Sequence, residues 1–140
     1  MNLRNFALFL LLLPLCAYAA TPYTNIDNQQ LKSLQATGIP VYDIRRTEEW
    51  AQTGIVEGSH RLTFVDEKGR VMPDFVSKFT QAVGKNDPVI LICRTGNRTD
   101  VLSRALVEQL GYTHVYNVKN GITRWINEGL PVVRTPAAKN

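Results

Sequence analysis

Cys93 heads the segment Cys93-Arg94-Thr95-Gly96-Asn97-Arg98-Thr99. A cysteine is a nucleophile as its thiolate, which forms where cations, backbone N–H groups or a helix N-terminus stabilise negative charge. This segment offers all three. Gly96 frees the backbone to curl, Arg94 and Arg98 add two fixed positive charges, and the periodic run that follows is a helix whose positive end faces the loop. Asn97 tolerates unusual backbone angles, and Thr99 can cap the helix or donate its hydroxyl to the sulfur. The chemistry indicated is nucleophilic attack on a small anion. Free cysteines are commonly core residues, but a core cysteine does not need two arginines and a glycine directly after it.

The elements around the loop set its position. Val89-Ile90-Leu91-Ile92 is apolar without alternation, as in a strand covered on both faces. Cys93 therefore stands at a strand's carboxyl end, where open α/β sheets bind ligands. After the loop, Val101, Leu102, Ala105, Leu106 and Leu110 line one helical face that ends at Gly111. Pro40–Ile44, His60–Val65 and His114–Val118 read as further strands. Helices are expected with Ile26, Leu31 and Leu34 on one face (after a leader Thr21–Asn25), over Glu48–Ala51, from Met72 through position 83, and over Ile122–Glu128. This alternation predicts one α/β domain with a mostly parallel central sheet and helices on both faces.

The chain has 140 residues, 20% of them charged and 44% hydrophobic, with a net charge of +4. That allows one domain and excludes a disordered chain. No Lys/Arg run, aromatic stacking pattern or zinc-finger spacing points to nucleic acid. His60 and His114 are isolated from any Cys/His/carboxylate cluster, so neither a metal nor another cofactor is expected. Arg4 followed by the apolar run Phe6–Leu15 and by Ala17-Tyr18-Ala19 reads as a secretory signal over residues 1–19, with residues 20–140 exported, in a bacterium to the periplasm. The run is too short for a stable membrane span. Bulky Leu15 disfavours lipid attachment at Cys16. Cleavage after Ala19 removes Cys16, leaving Cys93 as the lone thiol and no intramolecular disulfide.

The loop is similar to the active-site loop of the rhodanese family of sulfurtransferases. Asp43-Ile44-Arg45 with Glu48-Glu49-Trp50, Gly54 and Gly58-Ser59 resembles that family's first signature. Gly111-Tyr112, Val115, Asn120-Gly121, Trp125 and Gly129-Leu130-Pro131-Val132 resemble its C-terminal signature, and the likeness runs over about residues 38–133. Ile55-Val56 stands where the family often has His-Ile, and Asn120-Gly121 where it usually has Gly-Gly. The resemblance implies a two-step exchange. Cys93 takes the outer sulfur of an anionic donor such as thiosulfate, and a thiol or cyanide removes it from the persulfide, with a thioredoxin-like protein as one candidate partner. Alternatives are a non-catalytic sulfur carrier and a cysteine phosphatase or arsenate-reductase-like enzyme. Such phosphatases place five residues between cysteine and arginine, against four between Cys93 and Arg98 here. The two arginines favour thiosulfate over mercaptopyruvate, whose users carry a neutral loop. Asp43 and Arg45 sit at a strand end from which both could support the site. The preferred reading is structural, with Arg45 meeting Glu48 or Glu49. Trp50 and Trp125 are expected in the core.

Overall fold

The computed structural model describes residues 21–134. The elements run β1 (Thr24–Ile26), α1 (Asn28–Ala36), β2 (Val41–Asp43), α2 (Thr47–Thr53), β3 (His60–Arg61), α3 (Phe75–Ala82), β4 (Val89–Ile92), α4 (Asn97–Glu108), β5 (Val115–Val118) and α5 (Gly121–Asn127). The strands form one sheet in the order β1-β5-β4-β2-β3, and every pairing is parallel. From β4 the chain crosses to β5 on one side, whereas from β2 it crosses to β3 on the other. The carboxyl ends of β4 and β2 therefore flank a topological switch point, the usual crevice for ligands in such sheets. Cys93 lies at that point.

Alternation along β4 explains its unbroken apolar sequence. Leu91 and Cys93 pack with Phe75 and Phe79 of α3 and Leu102 and Leu106 of α4. Ile90 and Ile92 pack on the opposite face with Leu31 of α1 and Ile122 and Trp125 of α5. Both faces are covered, so no position of the strand can be polar. Trp50 and Trp125 are buried, as expected for core residues. No helix of the described residues is long and apolar enough to cross a membrane. The leader 1–19 and Cys16 lie outside the described residues.

Two local expectations change. Ile26 lies in strand β1, opposite Val118, rather than on a helix face. The helix starts after Asp27, whose carboxylate accepts the Gln30 N–H at 2.8 Å while the Gln30 side chain accepts the Asp27 N–H at 2.9 Å. That capping box stops the helix from extending backwards, and the three-residue edge strand gains its order from pairing with β5, a contact distant in sequence. The strand expected over His60–Val65 is regular only at His60–Arg61. Beyond it the Leu62 and Phe64 N–H groups still donate to Asp43 and Ile44 carbonyls at 3.1 Å, and Val65 turns back to bridge Val71.

A buried ion pair joins β2 to α2. Arg45 is 1% exposed and Asp43 0%. The Arg45 Nε donates to Asp43 Oδ1 at 2.9 Å and Nη2 to Oδ2 at 2.7 Å. Nη1 reaches Thr53 Oγ1 at 2.7 Å, and Nη2 the Gly54 carbonyl at 2.8 Å. The guanidinium fork thus ties the end of α2 to the end of the strand that lines the crevice. Arg45 does not meet the carboxylate of Glu48 or Glu49, as the sequence suggested; Asp43, two residues away in an extended segment, offers a dry bidentate partner instead. Arg45→Ala leaves the Asp43 charge buried and alone, a loss of about 3–5 kcal/mol of stability, whereas Arg46→Ala, which removes an exposed pair with Glu48, should cost under about 1 kcal/mol. Urea denaturation of the two variants checks the contrast.

Candidate active site

The loop after β4 is held from outside by α5. The Ile122 N–H donates to the Cys93 carbonyl at 2.9 Å, and the Thr123 N–H to the Arg94 carbonyl at 3.0 Å. Two N–H groups that α5 cannot satisfy internally thus fix two peptide planes of the loop. This approach requires glycine at position 121, where φ is +57° and a Cβ would overlap both carbonyls, standing 2.5 Å from that of Arg94. Asn120, also at positive φ (+68°), makes the turn into this contact. Asparagine tolerates that conformation, so the family's usual Gly-Gly is reduced here to Asn-Gly without loss of the turn.

With its carbonyls turned outward, the loop closes around the sulfur. The Gly96 N–H donates to Cys93 Sγ at 3.2 Å, and Gly96 itself sits at φ +95° at the N-cap of α4. Thr99 Oγ1 lies 3.4 Å from Sγ and 3.0 Å from the Gly96 carbonyl. Of the two roles open to Thr99, the structure favours the contact with sulfur: α4 has no side-chain N-cap bond. While the sulfur is a thiol, the Thr99 hydroxyl can donate to the Gly96 carbonyl and accept from S–H. When it is a thiolate, rotation of one hydroxyl turns Thr99 into a second donor. Cys93 is only 1% exposed.

The two loop arginines occupy different environments. Arg98 donates from Nη1 and Nη2 to the two Glu49 oxygens at 2.8 and 2.6 Å. The Arg46 N–H adds a bond to Glu49 Oε2 at 3.0 Å. Burial pushes the Glu49 carboxyl up, but the Arg98 hydrogen bonds, the Arg46 N–H and the Arg98 charge outweigh it and hold the group down at about 2. The same two bonds raise the Arg98 guanidinium, against the opposing effect of burial. Arg94 and Thr95 are exposed, and Arg94 has no ion-pair partner among the described residues. Arg94 is thus the loop's uncompensated cation; Arg98 reads from sequence as a second, but a carboxylate already balances it. Asn97, exposed in the first turn of α4, does not contact the sulfur through a hydrogen bond.

Asp43 and Arg45 lie beneath this arrangement rather than in it. The guanidinium of Arg45 also approaches the Glu49 carbonyl at 3.4 Å, so it supports the helix that presents Glu49. Sequence reasoning did not single out Glu49 as a site residue. The signal was its place in the first turn of a short helix just beyond a strand end, the one glutamate of the Glu48-Glu49 pair that faces inward. Among the described residues, no group of three or more His, Cys, Asp or Glu side chains could hold a metal ion.

Comparison with known proteins places these features in context. The rhodanese-like domain family matches residues 27–128. The thiosulfate sulfurtransferase GlpE of Actinobacillus pleuropneumoniae serotype 3 is 40% identical over 111 residues, spanning 79% of this chain and 93% of that protein. The Arabidopsis thaliana protein HIGH ARSENIC CONTENT 1, mitochondrial, is 32% identical over 115 residues, spanning 79% of this chain and 66% of that protein. The crystal structure of a rhodanese-related protein from Thermoplasma volcanium superposes with a TM-score of 0.61 at 26% identity, covering 81% of this chain and 100% of the other.

Two outcomes follow from the geometry. Gly121→Ala should displace the Cys93 and Arg94 carbonyls and lower Cys93 reactivity at least tenfold, read as the rate of alkylation by iodoacetamide at fixed pH relative to the unfolded protein. Because Glu49 is held near 2 in the folded protein against 4.5 ordinarily, its contribution to stability is complete above about pH 5 and lost as the pH falls toward 2. Glu49→Gln should therefore flatten that part of the stability curve, measured by urea unfolding between pH 2 and 6.

Proposed function

The chain belongs to the rhodanese-like domain family, a family of sulfurtransferases, and on that premise we propose that it transfers the outer sulfur of thiosulfate to a thiophilic acceptor through a persulfide on Cys93. The observation that carries the reading is the Gly96 N–H 3.2 Å from Cys93 Sγ, a fixed donor aimed at the atom that bears the charge as the attacking thiolate and again as the departing one.

In the first step the Cys93 thiolate attacks the outer sulfur of thiosulfate. A bond forms between Sγ and that sulfur, the sulfur–sulfur bond within thiosulfate breaks, and its electron pair leaves with sulfite. Arg94, the loop cation without a partner, draws in the dianion and steadies the leaving group. Arg98 acts differently: bound to Glu49, it fixes the first turn of α4 and adds a positive field whose strength near the sulfur is reduced by the adjacent carboxylate. In the second step cyanide or a thiolate attacks the outer sulfur, and Cys93 departs as the thiolate. No general base is needed when the nucleophile is already ionised. Such a covalent intermediate gives ping-pong kinetics.

The phosphatase alternative is disfavoured by the loop's length and by Arg98, whose two Nη atoms are committed to Glu49 and not to an anion in the cradle. The sequence of residues 1–19, read as a secretory leader, supports putting this chemistry outside the cytoplasm, with a thioredoxin-like protein as a candidate acceptor.

The decisive measurement is thiocyanate formation from thiosulfate and cyanide, with intact mass after thiosulfate alone. Wild type should gain one sulfur atom and turn over, and Cys93→Ser should do neither. Arg94→Ala should raise KM for thiosulfate about tenfold with less effect on the cyanide half-reaction. Rapid loading with very slow turnover would replace the enzyme reading with that of a carrier; a folded wild type without any sulfur adduct would overturn both.

A further inference from the structure

On the face of the sheet opposite Cys93, α1 and the chain that leaves α5 stand apart. Between them runs a groove of about 450 Å³, a size within the range of small-molecule sites, about 300–1,000 Å³. The buried Val56 and Trp125 form its floor, and the more exposed Ala36, Leu130 and Pro131 its sides. Val56 and Trp125 belong to the core packed by α1 and α5, whereas Cys93 belongs to the core packed by α3 and α4. The groove shares α5 with the active-site loop but contains none of the loop's residues.

Hydrogen bonds fix the walls. Gln35 Nε2 of α1 donates to the Glu57 carbonyl at 2.7 Å. On the other side the Leu130 N–H donates to the Trp125 carbonyl at 3.1 Å, Trp125 Nε1 to the Pro131 carbonyl at 2.9 Å, and the Val133 N–H to the Ile55 carbonyl at 2.9 Å. The groove is therefore preformed, and a ligand need not order its walls. Two charged side chains complete the lining, Lys32 from α1 and Glu57 from the segment after α2. Neither has an ion-pair partner among the described residues. Glu128, in a polar cavity that adjoins at Lys32 and Leu130, is already taken by Arg124 and by Asn28, each at 2.7 Å. A ligand suited to this lining is apolar in its body and carries one group of each sign. Lys32 and Glu57 are not within ion-pair distance of each other, so the ligand's charges should be separated too. Both charges of a free amino acid sit on one carbon; those of a dipeptide are parted by up to two residue lengths, about 3.3–3.6 Å each.

We propose that this groove is a binding site for short apolar peptides with free termini. The terminal carboxylate meets Lys32, the ammonium group meets Glu57, and the side chains lie on Val56 and Trp125. Burial of the apolar side chains supplies most of the affinity. The two exposed charges add less, but they fix the direction in which the peptide lies. No bond is made or broken, and the site does not depend on the sulfur chemistry of Cys93.

Leucyl-leucine titrated into the protein by calorimetry should bind saturably, and glycyl-glycine at least tenfold more weakly. Acetylating the amino group of leucyl-leucine should weaken binding at least threefold in wild type and not in Glu57→Gln. Amidating its carboxylate should weaken binding at least threefold in wild type and not in Lys32→Gln. Both side chains are exposed, so neither variant should disturb folding. Lys85→Gln, outside the groove, should keep both preferences, and Cys93→Ser should bind leucyl-leucine as wild type does. No saturable binding, equal binding of glycyl-glycine, a preference that survives in its charge variant, or loss of binding in Cys93→Ser would each overturn the proposal. Failure of thiosulfate to load Cys93 would remove the sulfurtransferase reading, and the calorimetry would still decide this site.

Discussion

Everything at this site depends on the orientation of two peptide groups. The carbonyls of Cys93 and Arg94 point away from the sulfur because the first N–H groups of α5 hold them there. A carbonyl facing a thiolate would repel it; a carbonyl facing outward leaves the inner side of the turn to donors. The requirement propagates. It imposes glycine at position 121, positive φ at Asn120 and Gly96, and a short β5 that delivers the start of α5 directly against the loop. Residues that never approach substrate thus decide what the cysteine experiences.

The division of labour between the arginines follows from the same economy of space. A strong positive field held by two free guanidinium groups would bind any small anion and release it slowly. Glu49 balances Arg98, leaving a fixed strut between α2 and α4 and one cation, Arg94, exposed to solvent. The strut in turn needs α2 to be firmly seated, which the Asp43–Arg45 pair accomplishes by tying the end of that helix to β2. Ion pairing here runs from a buried scaffold outward to a half-buried support, and the free charge appears only at the rim.

Much of this was legible in the residues alone. The apolar β4, the cysteine at its end, the glycine-containing turn and the helix after it are local signals with local causes, and each appears where expected. What escaped were partnerships across the fold. Glu49 reads as a surface glutamate beside Glu48 until α2 is set against α4, and Arg45 had several carboxylates to choose from until the backbone put Asp43 in its plane. Edge strand β1 is three residues with no pattern of its own and exists because β5 offers it a ladder. The leader expected over residues 1–19 lies outside the described residues, and packing does not address it.

The near-complete burial of Cys93 has a consequence for which form of the protein can be reached. Thiol–disulfide exchange requires a third sulfur to approach in line with an existing bond, and a sulfur that is 1% exposed offers no such approach to a bulky oxidant or to a second copy of the same cysteine. In the persulfide proposed for Cys93 the reactive end stands one sulfur–sulfur bond, about 2 Å, beyond Sγ. On that reading the empty protein is shielded and the sulfur-loaded one presented, so that the loop would gate access by its own cargo.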